Sequence, residues 1–147
     1  RRFEDKGTAA GVRVVDDYAH HPAEVTATID AARGIHPGRV VAVFQPHLYS
    51  RTREMAEEFG HALSAADVVV VTDVYAAREE AVPGVDGTLI TRAVSGPAEV
   101  LNVPRLDDVP AVITPDLRAG DLVLTMGAGD ITTLGPRLIE ALGGAHA

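Results

Sequence analysis

Three short stretches concentrate side chains able to bind or react. Asp16-Asp17-Tyr18-Ala19-His20-His21-Pro22 places two carboxylates, a phenol and two imidazoles within six positions. Gln45-Pro46-His47-Leu48-Tyr49-Ser50-Arg51 sets His47 and Arg51 four residues apart. Gly127-Ala128-Gly129-Asp130 supplies two glycines beside a carboxylate. In the first stretch Asp can accept from ribose hydroxyls and His can contact phosphate or carboxylate. Amides at the start of a following helix add an anion site. The plainer alternative is that one Asp caps the helix near Pro22 while the histidines face solvent. In the second stretch the planar fork of Arg51 matches a carboxylate, which suits the acid group of a small amino acid. Its alternative is an Arg51–Glu54 ion pair beside a His47 that caps a loop carbonyl.

Other chemistries fit less well. Asp16, Asp17, His20 and His21 as ligands of a two-metal phosphoesterase would need further carboxylates or histidines, and Asp73 is the only evident addition. Ser50 near His47 lacks the Gly-x-Ser-x-Gly setting of a nucleophile elbow. Gly127-Ala128-Gly129 has Thr132 where a dinucleotide fingerprint needs its third glycine, and no acidic residue follows on a second strand. Those glycines are expected to let the backbone turn or approach its neighbours, with Asp130 or Thr132 capping the final helix.

The elements that must position these stretches follow from periodicity. Val12–Val15, Val40–Phe44, Val68–Thr72 and Leu122–Thr125 are short, nearly continuous apolar runs, as strands covered on both faces would be. Val25, Ile29 and Ala32 share a helical face, as do Met55, Phe59, Ala62 and Leu63, and then Leu134, Leu138 and Leu142. Pro22 suits a first helical turn, a helix is expected from about Thr52, and Pro37-Gly38 supplies a stop. Tyr75 to Gly87 reads as a long loop at a strand's C-terminal end. Thr88–Val94 and Asp107–Ile113 read as short helices and Val100–Val103 as a further strand. This alternation predicts a three-layer α/β, Rossmann-like domain: a mostly parallel sheet flanked by helices, with ligands at the carboxyl ends of the strands. All three stretches begin at such ends.

Bulk properties set the bounds. The chain has 147 residues, enough for one core, and a formal charge of −8 from 21 acidic and 13 basic side chains. An acidic surface without a basic patch argues against a nucleic-acid partner. No cysteine is present, so thiolate metal sites and disulfides are excluded and a cytoplasmic location is the expectation. No apolar run approaches the roughly 20 residues of a membrane span. The start at Arg1 leads to the expectation that residues 1–147 are a single domain of a longer polypeptide.

Together, Arg1-Arg2-Phe3-Glu4, Val14 to Pro22, Phe44-Gln45-Pro46-His47 with Tyr49-Ser50-Arg51-Thr52, and Gly127 to Asp130 resemble the Mur ligases over essentially the whole chain. The likeness is to the C-terminal domain of the branch that joins L-alanine to UDP-N-acetylmuramate. The resemblance implies an ATP-dependent, ADP-forming ligase of peptidoglycan precursor synthesis. In that chemistry the lactyl carboxylate is phosphorylated and the amine of L-alanine attacks the acyl phosphate. It implies that the N-terminal domain binds the UDP-sugar and that the central domain holds ATP and magnesium. The chain contains no Gly-x-x-x-x-Gly-Lys-Ser/Thr, so the fragment alone is expected to be inactive. Carried over by position, Tyr18, His20, His47 and Arg51 correspond to the L-alanine pocket, and Arg2 and Asp17 to contacts with the ATP base and ribose. Leu48 departs from the pattern, since many relatives have arginine there. The nearest rival is the murein peptide-recycling ligase, which has a similar double-His turn.

Overall fold

A computed structural model describes residues 2–36 and 38–144; Arg1 and Pro37, which belong to motifs noted above, lie outside the described residues. The chain forms β1 (Glu4–Ala9), β2 (Val12–Asp17), α1 (Pro22–Ile35), β3 (Val40–Phe44), α2 (Tyr49–Leu63) and β4 (Val68–Val71). There follow α3 (Thr88–Thr91), β5 (Glu99–Asn102), α4 (Val109–Ile113), β6 (Leu122–Met126) and α5 (Leu134–Gly144). The six strands make one sheet in the order β1-β2-β6-β3-β4-β5. Only β1, paired with β2, runs antiparallel. The three-layer, mostly parallel architecture expected from the alternation is therefore present.

Strand alternation explains the two cores. Val40, Ala42 and Phe44 of β3, Val69 and Val71 of β4, and Leu122, Leu124 and Met126 of β6 face one side. There they meet Val25, Ile29 and Ala32 of α1 and Phe59, Ala62 and Leu63 of α2. Val41, Val43, Val68, Val70 and Val123 face the other side, under Val109 and Ile113 of α4 and Leu134, Leu138 and Leu142 of α5. Because both faces are covered, the strands read as continuous apolar runs rather than alternating ones. The helical faces predicted from periodicity are the ones buried.

Boundaries and one whole strand differ from the sequence reading. β2 runs through Asp16 and Asp17, so both carboxylates belong to the strand rather than to the turn after it. α2 begins at Tyr49, three residues before the expected start, which places Arg51 inside its first turn. Thr88–Val94 shrinks to the four residues of α3, and Asp107–Ile113 divides into a 3₁₀ turn, Leu106–Asp108, followed by α4. β1 was missed. It is charged, lies at the sheet edge, and is joined to β2 by a two-residue turn in which Ala10 and Gly11 both have positive φ (55° and 77°). That is the geometry of a type I′ hairpin. Among the described residues no helix is long and apolar enough to cross a membrane.

Candidate functional site

The C-terminal ends of β2, β6, β3 and β4 lie side by side, and the residues singled out above gather there. β6 sits between β2 and β3, so the turn it leads into separates the Asp16–His21 stretch from the Gln45–Arg51 stretch. Gln45 ties its own stretch to that turn: its Nε2 donates to Asp130 Oδ1 at 2.7 Å and its Oε1 accepts from the Ile131 amide at 3.2 Å. The expectation that Asp130 or Thr132 caps the last helix is not met. Asp130 accepts from Gln45, and the Thr132 hydroxyl donates to Asp16 Oδ2 at 3.1 Å. The expectation that the glycines serve close approach is met. A Cβ on Gly127 would stand 2.9 Å from Ile131 Cγ2, and one on Gly129 would stand 2.6 Å from Cγ of Tyr75.

The two aspartates have different duties. Asp16 is fully buried and also accepts from the Thr125 hydroxyl at 2.7 Å, so it braces β2 against β6 and the turn beyond it. Asp17, 2 % exposed, accepts from the amides of Phe3 (2.7 Å) and Ala19 (2.8 Å) and lies 3.5 Å from the Arg2 guanidinium. Neither caps α1. That role falls to a capping box in which His21 is the N-cap and Glu24 Oε1 accepts from the amides of both His20 and His21 at 3.1 Å. Beside Asp17 a cleft of about 190 Å³ is lined by Arg2, Phe3, Asp17, Ala27, Thr28 and Ala31. Thr28 is 3 % exposed and its hydroxyl has no hydrogen-bond partner among the described residues.

On the other side of the β2 end Tyr18, His20, His47 and Arg51 come together. Rings follow one another from Tyr18 to His20 (centroids 4.8 Å apart, edge to face) and from His20 to His47 (6.2 Å, edge to face). The row ends with Tyr75 stacked on His47 at 5.7 Å and 15°. His20 Nδ1 lies 2.8 Å from the Tyr18 carbonyl oxygen. Only a protonated Nδ1 can donate there, which leaves Nε2 as the acceptor of a neutral ring. At His47 the arrangement is reversed: Arg51 Nη1 stands 3.4 Å from His47 Nδ1, so Nδ1 accepts and Nε2 carries the proton. Burial first, then the charge of Arg51 and, when the His20 ring is protonated, its charge, hold the His47 pKa below its ordinary value against the opposing pull of Glu79. His47 is thereby kept neutral.

Arg51 forms no ion pair among the described residues, which removes the Glu54 alternative. Leu48, the departing position, holds φ at +74°. A branched apolar side chain there costs on the order of 1–3 kcal/mol of backbone strain. The conformation is held by the Leu48 amide donating to the Tyr75 carbonyl (2.9 Å) and by Thr52, whose amide and hydroxyl both donate to the Leu48 carbonyl (3.1 and 2.8 Å). Two further residues, Tyr75 and Glu79, were missed. Glu79 accepts from the Ser50 amide (3.1 Å) and hydroxyl (2.5 Å), bonds that lower its pKa and anchor the first turn of α2. The sequence signal was only the charged loop in which both lie.

The two-metal reading fails on geometry, since no group of three or more His, Asp or Glu side chains among the described residues is placed to hold a metal ion. Arg2 with Asp17, and Tyr18 with His20, His47 and Arg51, form two neighbouring clusters on either side of the β2 end.

Comparison with known proteins gives this arrangement its relatives. Residues 1–129 match the family model described as Mur ligase, glutamate ligase domain. The UDP-N-acetylmuramate–L-alanine ligase of Mycobacterium sp. (strain JLS) is 57 % identical over 146 residues, covering 97 % of this chain and 30 % of that protein. The chain thus spans just under a third of such relatives. The solved UDP-N-acetylmuramate–alanine ligase of Thermotoga maritima superposes with a TM-score of 0.74 at 30 % identity, over 92 % of this chain and 28 % of that one. The murein peptide ligase of Psychrobacter arcticus gives a TM-score of 0.77 at 26 % identity, over 97 % of this chain and 30 % of that one. Fold, motif order and sequence likeness agree, and the chain belongs to the Mur ligase family.

Proposed function

We propose that this chain is the amino-acid-binding domain of an ATP-dependent ligase that joins L-alanine to UDP-N-acetylmuramate, a cytoplasmic step of bacterial cell-wall precursor synthesis. The observation that carries the reading is Arg51, a half-buried guanidinium beside a neutral His47 with no carboxylate of its own among the described residues. A cation without a carboxylate partner at the C-terminal end of the sheet suits the carboxylate of a small amino acid. His47 Nε2–H offers a second donor, and the free Nε2 of His20 offers an acceptor for the amine. Tyr18 and Tyr75 close the two ends of the row. Held this way by its acid group, the substrate would keep its nitrogen available to attack an acyl phosphate supplied from the other domains.

Nucleotide contact is assigned to the second cluster. The cleft beside Arg2 and Asp17 contains the unpartnered Thr28 hydroxyl, a polar atom whose burial favours a ligand able to pair with it. It fits the base or ribose of ATP. Family membership supports placing magnesium with the phosphates on the central domain of the parent enzyme. Identity of 57 % to an L-alanine ligase over 97 % of this chain supports free alanine over a recycled tripeptide as the acceptor.

The test is ATP-dependent phosphate release by the full-length parent enzyme, supplied with UDP-N-acetylmuramate and either L-alanine or the tripeptide. L-Alanine is the expected substrate. Arg51→Ala should raise the KM for alanine roughly 10- to 150-fold, the value of a lost hydrogen bond to a charged group, with little change in the KM for ATP. Tripeptide preference, or an unchanged KM in the variant, would overturn the assignment.

A further inference from the structure

The loop after β4 reaches back over the amino-acid corner through one residue. The Tyr75 amide donates to the Pro46 carbonyl at 2.8 Å, and its own carbonyl accepts from the Leu48 amide at 2.9 Å. The two bonds make an isolated parallel bridge between His47 and Tyr75, beyond the ends of β3 and β4. The ring is then fixed on two sides. One face stacks on the His47 imidazole, and the ring also lies against Gly129, where a Cβ would come within 2.6 Å of Cγ. Four residues on, Glu79 holds Ser50, next to Arg51, by two hydrogen bonds. A single loop segment thus steadies both groups assigned to the substrate carboxylate.

We infer that Tyr75 is a positioning residue for amino-acid binding: its ring, seated on Gly129, sets the plane of the His47 imidazole and shields one face of it from water. This rests on the reading of His47 and Arg51 as the L-alanine corner. Imidazole is small and free to turn about two side-chain bonds, and the His47 backbone alone does not choose its plane. Stacking against an anchored ring does, and an aromatic pair contributes enough to favour one orientation by about 3- to 10-fold. The same stacking adds to the burial that keeps His47 neutral, together with Arg51 on α2 and His20 before α1, while Glu79 in the loop after β4 acts in the opposite direction. The phenol oxygen has no part in this, so phenylalanine must replace tyrosine without loss.

Two measurements test it. In the 147-residue chain the imidazole of His47, assigned by the resonance lost in His47→Gln, is titrated by NMR in the wild type, Tyr75→Phe and Tyr75→Ala. The midpoint should be unchanged in Tyr75→Phe and move upward, toward that of a free imidazole, in Tyr75→Ala. In the full-length parent enzyme Tyr75→Ala should raise the KM for L-alanine about 3- to 10-fold, leaving the KM for ATP unchanged, with Tyr75→Phe restoring the wild-type value. Gly129→Ala, whose Cβ would come within 2.6 Å of the Tyr75 ring and 2.7 Å of Gln45 Oε1, displaces the ring and should reproduce the Tyr75→Ala pattern even if Tyr75→Ala itself proves poorly folded. An unmoved His47 midpoint in both disruptive variants overturns the inference. So does an alanine KM that stays at its wild-type value in an enzyme that does ligate alanine. Failure of the wild-type parent enzyme to use alanine at all would instead bring down the substrate reading on which the inference rests.

Discussion

Replacing Thr28 by valine should make the protein more stable and its parent enzyme worse at using nucleotide. The two side chains share shape and β-branching, so rotamer restriction and helix propensity nearly cancel within α1. What changes is the buried hydroxyl of a residue that is 3 % exposed, with no hydrogen-bond partner among the described residues. Leaving such a group unsatisfied costs about 1–3 kcal/mol. Taking the lower half of that range, Thr28→Val should gain about 1–2 kcal/mol. At about 3 °C per kcal/mol for a domain of this size, Tm should rise by about 3–6 °C, with a matching increase in the guanidinium chloride midpoint at constant m-value. If the cleft takes the nucleotide as proposed, the same change removes a neutral hydrogen bond to it in the parent enzyme, so the KM for ATP should rise roughly 2- to 12-fold while the KM for alanine holds. A midpoint that stays put or falls would mean that the hydroxyl is already paired in the free protein. The reasoning about the cleft would then be refuted whatever the kinetics.

Two other expectations concern charge. Arg39 grips the buried carboxylate of Asp121 through two nitrogens, at 3.1 and 2.7 Å, an interaction that also raises the pKa of the arginine. Arg39→Met should cost about 3 kcal/mol, the low end for breaking a buried pair, because the guanidinium itself is partly hydrated; denaturant titration at constant pH will measure it. His47 carries a pH signature: its native pKa is depressed below the ordinary 6.5, so the fold favours the neutral ring. The stability it contributes is complete above pH 6.5 and is lost as pH falls through the lower native value. Urea midpoints between pH 8 and pH 5 should decline less steeply in His47→Asn than in the wild type.

How much of this was legible in the sequence depends on where each residue finds its partners. The strands β2, β3, β4 and β6 announced themselves because burial on both faces demands unbroken apolar runs, and α1, α2 and α5 because each buries one stripe. β1 carried no such mark. Glu4, Asp5 and Lys6 form a strand only because β2 offers an open edge, and that cause is not local to them. Asp16 and Asp17 looked like turn residues for a related reason. A strand can end in two buried carboxylates only if donors arrive from elsewhere, and here they come from Thr125, Thr132, Phe3 and Ala19. The candidate site residues Tyr18, His20, His47 and Arg51 were visible through their density and the family likeness. Tyr75 was not, since its role depends on lying against Gly129 and over His47, and neither neighbour is close to it in the chain.

The strand order has a consequence for how the molecule comes into being. β6, near the end of the chain, is the strip that lies between β2 and β3. Until residues 122–126 are in place, the hairpin of β1 and β2 and the trio of β3, β4 and β5 are two half-sheets whose inner edges present unpaired backbone groups. Such edges invite pairing with other chains. Joining them through a strand so distant in sequence makes the final step slow and cooperative. The row of rings and the Gln45 bridge to Asp130 and Ile131 straddle that same seam. A nascent chain therefore exposes sticky edges before it can hold a ligand, and the binding corner and the finished sheet appear together.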